Sequence, residues 1–259
     1  MAKKPVVVIG MGEMGSVFAR GLLRLGHPIY PVTRATRMKT LAAELPEPRM
    51  VLVAVAENEL KPVLKQIPKT WRDRLALLQN ELLPSDFEHL RKVTVVSVWF
   101  EKKQGQDSKV IIPSPAHGPR AKLLRKALAT LDIPVDVIER KRDMLFELVA
   151  KNLYILTSNI SGLRVGGTVG ELRDAHPQLM HDVAREVIRL QEALTGSRFN
   201  NDQLIAAMLR AFDGDPDHKC MGRSALDRLR RALDHADRLE ITLPTLRAIA
   251  MEQAETVVA

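Results

Sequence analysis

The sequence VVVIGMGEMG at residues 6–15 decides the fold that we predict for this chain of 259 residues. It joins a β-branched run to three glycines, and a stretch with helical periodicity follows at residues 16–25. A strand, a glycine loop and a helix in this order form the dinucleotide-binding fingerprint, in which the helix N-terminus receives a pyrophosphate. The alternative is a tight turn that binds nothing. The predicted cofactor-binding residues of the loop are Gly10, Met11, Gly12, Glu13, Met14 and Gly15.

The end of the second predicted strand indicates which dinucleotide is bound. Proteins that bind NAD carry an acid there, about twenty residues beyond the loop, which bonds the ribose hydroxyls. In this chain no acid occurs between Glu13 and Glu44. Thr33, Arg34 and Arg37 stand there instead, and guanidinium groups form bidentate bonds with phosphate. We therefore predict NADP (NADPH) in preference to NAD or FAD, the alternative being two solvated arginines on a surface loop.

β-Branched runs alternate with helical stretches over the first 140 residues, which is typical of an α/β domain with a parallel sheet. Pro31 lies in the second of these runs and should be near a strand end, since proline cannot donate to a ladder. The predicted strands are 6–9, 29–32, 51–55, 75–78, 93–98, 110–112 and 135–138, and the predicted helices between them are 16–25 and 120–131.

From Lys141 onward the β-branched runs stop and the sequence predicts helices only. The change predicts a Rossmann NADP-binding domain at residues 1–140 and an all-helical domain at residues 141–259. The predicted helices of the second domain are 142–163, 177–194, 203–212, 224–238 and 243–254.

The composition is that of a globular protein, with 46% apolar and 27% charged residues. The only cysteine, Cys220, rules out an intrachain disulfide and fits a reducing compartment. The apolar run at residues 6–9 is too short for a secretory signal, and no stretch approaches the ~20 apolar residues that cross a bilayer. We therefore expect a cytoplasmic protein with no membrane partner.

The net charge of +8 raises the question of a polyanionic partner. Acids alternate with the basic residues along the predicted helices, and aromatic residues make up only 4% of the chain, which leaves little for base stacking. We expect an anionic small molecule and no nucleic acid. The seven histidines show no recognised metal-ligand spacing, so we expect no metal. The dipeptide His117-Gly118 follows a predicted strand and is a candidate for a loop near the nicotinamide.

The first helix of the second domain carries a polar strip. At ~100° per residue, Ser158 lies ~20° from Lys151 around the helix and Asn159 lies ~80° away. A lysine in such a strip can donate a proton to a carbonyl oxygen as a hydride arrives at the carbon. The alternative is an exposed ion pair between Lys151 and Glu147, four residues earlier.

Several motifs together resemble the ketopantoate reductase family, within the 6-phosphogluconate dehydrogenase-like enzymes. They are the glycine loop, Gln79-Asn80, the helix with Lys151 and Asn159, TVGELR at 168–173 and AREV at 184–187. The resemblance extends from Val6 to Pro244 and beyond. It implies a Rossmann domain, a helical substrate and dimerisation domain, NADPH, and a 2-keto acid as substrate.

The resemblance also implies roles for individual residues. Lys151 matches the catalytic lysine that polarises and protonates the keto group, and Asn159 matches one of its polar companions. Asn80 matches an asparagine that contacts cofactor and substrate. Ser224 matches a substrate-binding serine, and Ser158 is a further substrate candidate from the polar strip. Val55 and Ala56 stand where the third predicted strand ends and match a cofactor-binding segment, although the lysine often found there is absent.

The chain also departs from the family pattern. Position 155, where a polar companion of the lysine is expected, is Ile155, and the glycine that usually follows Asn80 is Glu81. A C-terminal segment with a ribose-binding glutamate is deleted. The sequence there carries arginines that either receive an anionic substrate or form a solvated helix face, and the solvated face is favoured. These arginines are Arg228, Arg230 and Arg231.

These observations predict an NADPH-dependent oxidoreductase that reduces the keto group of a small anionic, 2-keto acid-like substrate and that can form a homodimer. The alternative is a non-catalytic NADP-binding sensor of the same fold, which Ile155 and the deleted segment favour.

Overall fold

A computed structural model describes residues 3–103 and 105–258 of the chain. They form two compact units, Met1–Leu148 and Val149–Ala259. The sequence placed the domain boundary at 140/141, whereas the two units divide inside a helix that begins at Lys141.

The first unit alternates strands and helices. Its strands are β1 Val6–Ile9, β2 Ile29–Val32, β3 Met50–Val53, β4 Leu75–Leu77, β5 Thr94–Val96, β6 Phe100–Glu101, β7 Lys109–Val110, β8 Ser114–His117 and β9 Val135–Val137. Its helices are α1 Glu13–Arg24, α2 Met38–Glu44, α3 Leu60–Gln66, α4 Pro84–Phe87 and α5 Ala121–Ala129, followed by the start of α6 Lys141–Val165.

Seven strands form one sheet in the order β2-β1-β3-β4-β5-β8-β9. The first five are parallel, β8 runs antiparallel to β5, and β9 runs parallel to β8. Val6 of β1 aligns with Ile29 of β2 on one side and with Met50 of β3 on the other. The carboxyl ends of these three strands therefore meet at one edge, at the point where the strand order reverses, and ligands of such sheets bind there.

Alternate residues of β1 contact different faces of the sheet. Val6 and Val8 belong to the apolar core shared with α1 and α5, whereas Val7 and Ile9 belong to the core on the opposite face. Helices α1 and α5 can pack closely because Gly21 has no side chain. A Cβ there would lie only 2.5 Å from the carbonyl oxygen of Ala127. The expected Rossmann arrangement, with helices on both faces of a mostly parallel sheet, is confirmed.

Two details of the predicted sheet are different in the structure. The predicted strand at 110–112 is wrong, because β7 ends at Val110 and pairs only with β6 in a separate two-stranded sheet. The place in the large sheet is taken by β8, whose sequence Ser-Pro-Ala-His carries no β-branched residue that could have marked it.

Pro31 lies in β2, which is an edge strand, where the missing N–H is tolerated. The short helices α2, α3 and α4 were not predicted.

The regular structure among the described residues of the second unit is helical, apart from an isolated bridge between Thr168 and Lys219. It contains the rest of α6 and then α7 Val169–Ala175, α8 Pro177–Thr195, α9 Asn201–Gly214, α10 Ala225–Arg238 and α11 Pro244–Val258. The all-helical prediction is confirmed, and α7 is the one helix here that it omitted. No helix among the described residues is both long and apolar enough to span a membrane.

A buried carboxylate fixes the start of α11. Glu186 of α8 accepts hydrogen bonds from the backbone N–H groups of Thr245, at 2.8 Å, and Leu246, at 3.0 Å. These amides belong to the first turn of α11 and have no partner within the helix, and a negative charge there is further stabilised by the helix dipole. The glutamate of the AREV motif is therefore a structural residue in this chain.

We expect Glu186→Gln to lower the free energy of unfolding by about 1–2 kcal/mol, since the amide keeps one acceptor but loses the charge. Urea unfolding of the purified chain measures this change. Glu255→Gln, at the exposed far end of the same helix, is the matched control and should change stability by less than about 0.5 kcal/mol. Equal stabilities of wild type and Glu186→Gln would contradict the capping role.

Candidate functional site

Two glycines bring the loop after β1 into direct backbone contact with its surroundings. Gly10 has φ +90°, a conformation that favours glycine, and a Cβ there would lie 2.5 Å from the carbonyl oxygen of Ala54. A Cβ at Gly15 would overlap the carbonyl oxygen of Gly10. Neither position accepts a side chain, so the loop lies tightly against the carboxyl end of β3.

The middle glycine has the opposite environment. Gly12 is the N-cap residue of α1, makes no side-chain cap bond, and has no atom within 4 Å of where its Cβ would lie. A side chain would fill this space in front of the first amides of the helix. A helix N-terminus with open space before it fits the pyrophosphate of a dinucleotide.

The other loop residues differ in exposure. Met11 and Glu13 are exposed, whereas Met14 packs against the apolar core.

The predicted phosphate-binding residues follow β2 at the same edge of the sheet. The backbone N–H of Thr33 donates to Thr36 Oγ1 at 3.0 Å, which closes a turn. The Arg34 side chain is 95% exposed, and its Nη2 donates to Glu59 Oε1 at 3.1 Å. Arg37 is exposed and stands at the N-cap of α2. Thr33, Arg34 and Arg37 are therefore accessible from solvent beside the glycine loop.

Glu59 is an acid that the sequence analysis missed. The ribose-binding acid of NAD proteins is expected after β2. Glu59 instead lies in the segment after β3 and reaches Arg34 across 25 residues of sequence. An exposed ion pair of this kind contributes at most about 1 kcal/mol. A phosphate that bonds the guanidinium through charge-assisted hydrogen bonds of 1.5–3 kcal/mol each would displace it.

Gln79 ties the ends of β3 and β4 together. Its buried amide donates to the carbonyl oxygens of Val53, at 2.8 Å, and Val55, at 3.2 Å. The segment with Val55 and Ala56 is thereby held beside the glycine loop, where a Cβ at Gly10 would also meet the Val55 side chain. The next residue, Asn80, donates from Nδ2 to Glu57 Oε1 at 2.9 Å.

Glu81 occupies a position that favours glycine. Its φ is +59°, in the left-handed region that costs a residue with a side chain roughly 1–2 kcal/mol. The resemblance places a glycine there, and the backbone of this chain has a conformation that favours glycine although the residue is glutamate. A carboxylate is thereby placed directly after Asn80.

Lys151 lies in the part of α6 that belongs to the helical unit. Its Nζ is 5.3 Å from the centroid of the Tyr154 ring. Burial lowers the pKa of Lys151 to about 7, and the nearby positive charge of Arg228 lowers the pKa further in the same direction. An exposed lysine whose main partner is Glu147 would keep its pKa at or above the ordinary value. The lowered pKa therefore favours the general-acid hypothesis.

Asn159 is buried, and its amide bonds Arg228, Cys220 and, at 3.4 Å from Nδ2, the hydroxyl oxygen of Ser158. Oδ1 accepts from Arg228 Nη1 at 2.8 Å, and Nδ2 donates to the Cys220 carbonyl oxygen at 3.1 Å. The hydroxyl of its neighbour Ser158 donates to the Tyr154 carbonyl oxygen at 2.7 Å, within α6. Asn159 thus joins α6 to α10 and to the segment before it.

The prediction of a solvated face is wrong for Arg228. The residue is only 9% exposed, because it shares the inward face of α10 with Ala225, Leu229 and Ala232, at helical spacing. Arg230 does lie on the solvated face, with its side chain 67% exposed and 3.5 Å from Asp227. The spacing of the small and apolar residues of α10 would have separated the two arginines.

Ser224 and Cys220 also belong to the second unit. Ser224 is the partly buried N-cap residue of α10 and makes no side-chain cap bond. Cys220 is buried against Gly162, and burial raises the pKa of its thiol to about 11, so it is a packing residue.

The suggestion that His117-Gly118 lies near a nicotinamide is not supported. His117 ends β8, which runs antiparallel to β5, and a Cβ at Gly118 would overlap the carbonyl oxygen of Val93 at the amino end of β5. His117 therefore lies at the edge of the sheet opposite to the glycine loop, and its Nδ1 is 2.8 Å from the Ile138 carbonyl oxygen.

Lys151 should titrate near neutral pH. Because burial and Arg228 both disfavour the ammonium form, Lys151 is protonated below about pH 7, and Arg228→Met should raise its pKa toward the ordinary 10.5. NMR of isotope-labelled dimethyl-lysine measures the titration directly. Arg230→Met, on the exposed face of the same helix, is the control and should leave the titration unchanged. A wild-type titration near 10 would contradict the assignment.

No protein-family model matches the sequence, and no curated protein matches it. Solved structures do match over almost the whole chain. A 2-dehydropantoate 2-reductase from Methylococcus capsulatus matches with a TM-score of 0.68 and 13% identity, over 98% of this chain and 97% of that chain.

Two further solved structures give the same result. A PanE/ApbA family ketopantoate reductase from Ralstonia eutropha matches with a TM-score of 0.66 and 18% identity, over 95% of this chain and 96% of that one. A dimeric ketopantoate reductase from Staphylococcus aureus matches with a TM-score of 0.60 and 17% identity, over 95% and 96% of the two chains. The resemblance found in the sequence is thus confirmed at the level of the fold, which is that of the ketopantoate reductases.

Proposed function

We propose that the chain is an NADPH-dependent oxidoreductase that reduces the keto group of a small anionic, 2-keto acid-like substrate. The observation that carries the proposal is Lys151 of the helical unit, whose pKa burial lowers to about 7. The other unit of the same chain carries a glycine loop of the dinucleotide-binding type. The solved structures of the same fold named above are 2-dehydropantoate 2-reductases and ketopantoate reductases, which agrees with this reaction class.

The first unit carries the residues that would hold the cofactor. The amides at the start of α1, in front of Gly12, would receive the pyrophosphate, and Arg34 and Arg37 with Thr33 would receive the ribose phosphate. Val55, Ala56 and Asn80 line the same edge of the sheet by their position after β3 and β4. When bound, the cofactor supplies the hydride that the reduction needs.

Lys151 would act as the general acid. With a pKa of about 7, its ammonium and amine forms are both populated at neutral pH. The Nζ proton can therefore be given to a carbonyl oxygen as negative charge develops there, and the neutral amine that remains is tolerated in a buried environment. The substrate contacts proposed from the sequence are Ser158, Ser224 and Asn80, and Asn159 supports the lysine from the same helix.

A non-catalytic NADP sensor is the second candidate. Ile155, buried and apolar, takes the position where a polar companion of the lysine is expected, and the amide of Asn159 is held by Arg228 and Cys220. A sensor would bind NADPH without oxidising it. We also propose that the chain forms a homodimer. This agrees with the dimeric ketopantoate reductase among the solved structures.

The proposed phosphate site predicts a preference for NADPH. Arg34→Ala should weaken NADPH binding by about tenfold and leave NADH binding unchanged, since only NADPH carries the phosphate. Glu59→Gln should strengthen NADPH binding a few-fold, because it removes the competing carboxylate. Fluorescence titration of both cofactors measures these affinities. Arg125→Ala, an exposed arginine of α5, is the control, and equal wild-type affinities for the two cofactors would refute the assignment.

The proposed proton donor predicts a second result. Lys151→Met keeps much of the side-chain volume but holds no proton, so turnover should fall by ~10²–10⁴ while NADPH affinity stays nearly unchanged and the melting temperature does not fall. NADPH oxidation with a panel of keto acids is the assay, and Lys126→Met, an exposed lysine of α5, is the control. Turnover within threefold of wild type would exclude the catalytic role, and NADPH binding without oxidation by any keto acid would favour the sensor.

A further inference from the structure

Arg228 is a buried cation held in a fixed orientation. Only 9% of the residue is exposed, and Nη1 donates to Asn159 Oδ1 at 2.8 Å. Asn159 is in turn fixed by its bond to the Cys220 carbonyl oxygen at 3.1 Å. A guanidinium is planar, so a short bond to a rigid partner restricts the orientations that its fork can adopt. Arg228 is therefore pre-organised, unlike the exposed arginines of the same helix.

Two cations of the helical unit are neighbours. Arg228 lies close enough to Lys151 for its positive charge to disfavour the ammonium form of that lysine. Two like charges interact more strongly where water is excluded, so each disfavours the charged form of the other. A bound anion relieves the repulsion, whereas an uncharged carbonyl compound does not.

We propose that Arg228 is a specificity-determining residue that binds the carboxylate of the substrate, beside the keto oxygen that Lys151 receives. The inference rests on the proposed function and adds the residue that selects the substrate class. In a 2-keto acid the carboxylate and the keto group are on adjacent carbon atoms, so two neighbouring cations can contact both. The guanidinium fork matches a carboxylate through paired N–H groups, and the single lysine head suits the single keto oxygen.

Asn159 is a positioning residue in this arrangement. It contacts α6, through its own backbone, and Arg228 of α10, through its side chain. Its bond to Cys220 also fixes the segment that leads to Ser224, and a Cβ at Gly222 would lie 3.5 Å from Asn159 Oδ1. One amide thus sets the distance between the residue that selects the substrate and the helix that carries the proton donor.

The test compares a 2-keto acid with its uncharged amide as substrates of the holoenzyme. Arg228→Met should raise KM for the keto acid by about 10- to 100-fold relative to KM for the amide, which is the effect of losing charge-assisted bonds, whereas any change in kcat that follows from the altered pKa of Lys151 should be the same for both substrates. Arg228→Lys keeps the charge without the fork and should raise the keto-acid KM only a few-fold. It also serves as the test variant if Arg228→Met does not fold. Arg230→Met is the matched control and should change neither substrate.

Equal losses for the acid and the amide would overturn the inference and leave the reductase function intact, since Arg228 would then act only through the fold. Binding of oxamate, a carboxylate with an adjacent carbonyl that is not reduced, separates the two proposals if the wild type oxidises NADPH with no keto acid. In calorimetry, oxamate that binds the wild type and Arg230→Met but not Arg228→Met would support the carboxylate site without the reductase. Oxamate that binds none of them, or all of them equally, would overturn it.

Discussion

The structure of the first unit depends on two places where the backbone touches itself. Gly10 approaches the carbonyl of Ala54, and Gly15 approaches the carbonyl of Gly10, at distances that leave no space for a Cβ. These contacts bring the ends of β1 and β3 together and turn the chain into α1 with its first amides in front of the open space at Gly12. The direction of α1 and the position of the proposed phosphate site follow from this absence of side chains.

Hydrogen bonds of polar and charged side chains fix the second unit. The carboxylate of Glu186 holds the start of α11, Thr168 and Glu171 cap α7 reciprocally, and the Asn159 amide orients Arg228. Two of the motifs behind the resemblance thus have structural explanations, because TVGELR contains a helix cap and AREV contains a buried capping acid. A shared motif in this unit therefore indicates a shared fold before it indicates a shared reaction. The proposed reduction depends on Lys151 and on the residues around it.

The parts of the fold that the sequence predicted correctly are those determined locally. The strand, loop and helix at residues 6–25 are encoded by adjacent residues, and the long helices follow from apolar periodicity. The strand at 110–112 was misplaced because β-branched residues mark β-propensity, whereas β8 is a strand through its pairing with β5 and β9. Glu59 beside Arg34 and Asn159 beside Arg228 are tertiary contacts between distant residues, which periodicity and spacing within a single element do not encode.

The environment of Cys220 has a practical consequence. The only cysteine of the chain is buried, and its thiol pKa of about 11 leaves almost no thiolate at neutral pH. Thiolate is the form that reacts with maleimides and iodoacetamides, so the natural chain is effectively inert to these reagents. A single cysteine introduced on an exposed helix position could therefore carry a fluorophore or spin label with no background from Cys220. A pair of such cysteines would allow distances in the protein to be followed in solution without removing a core residue.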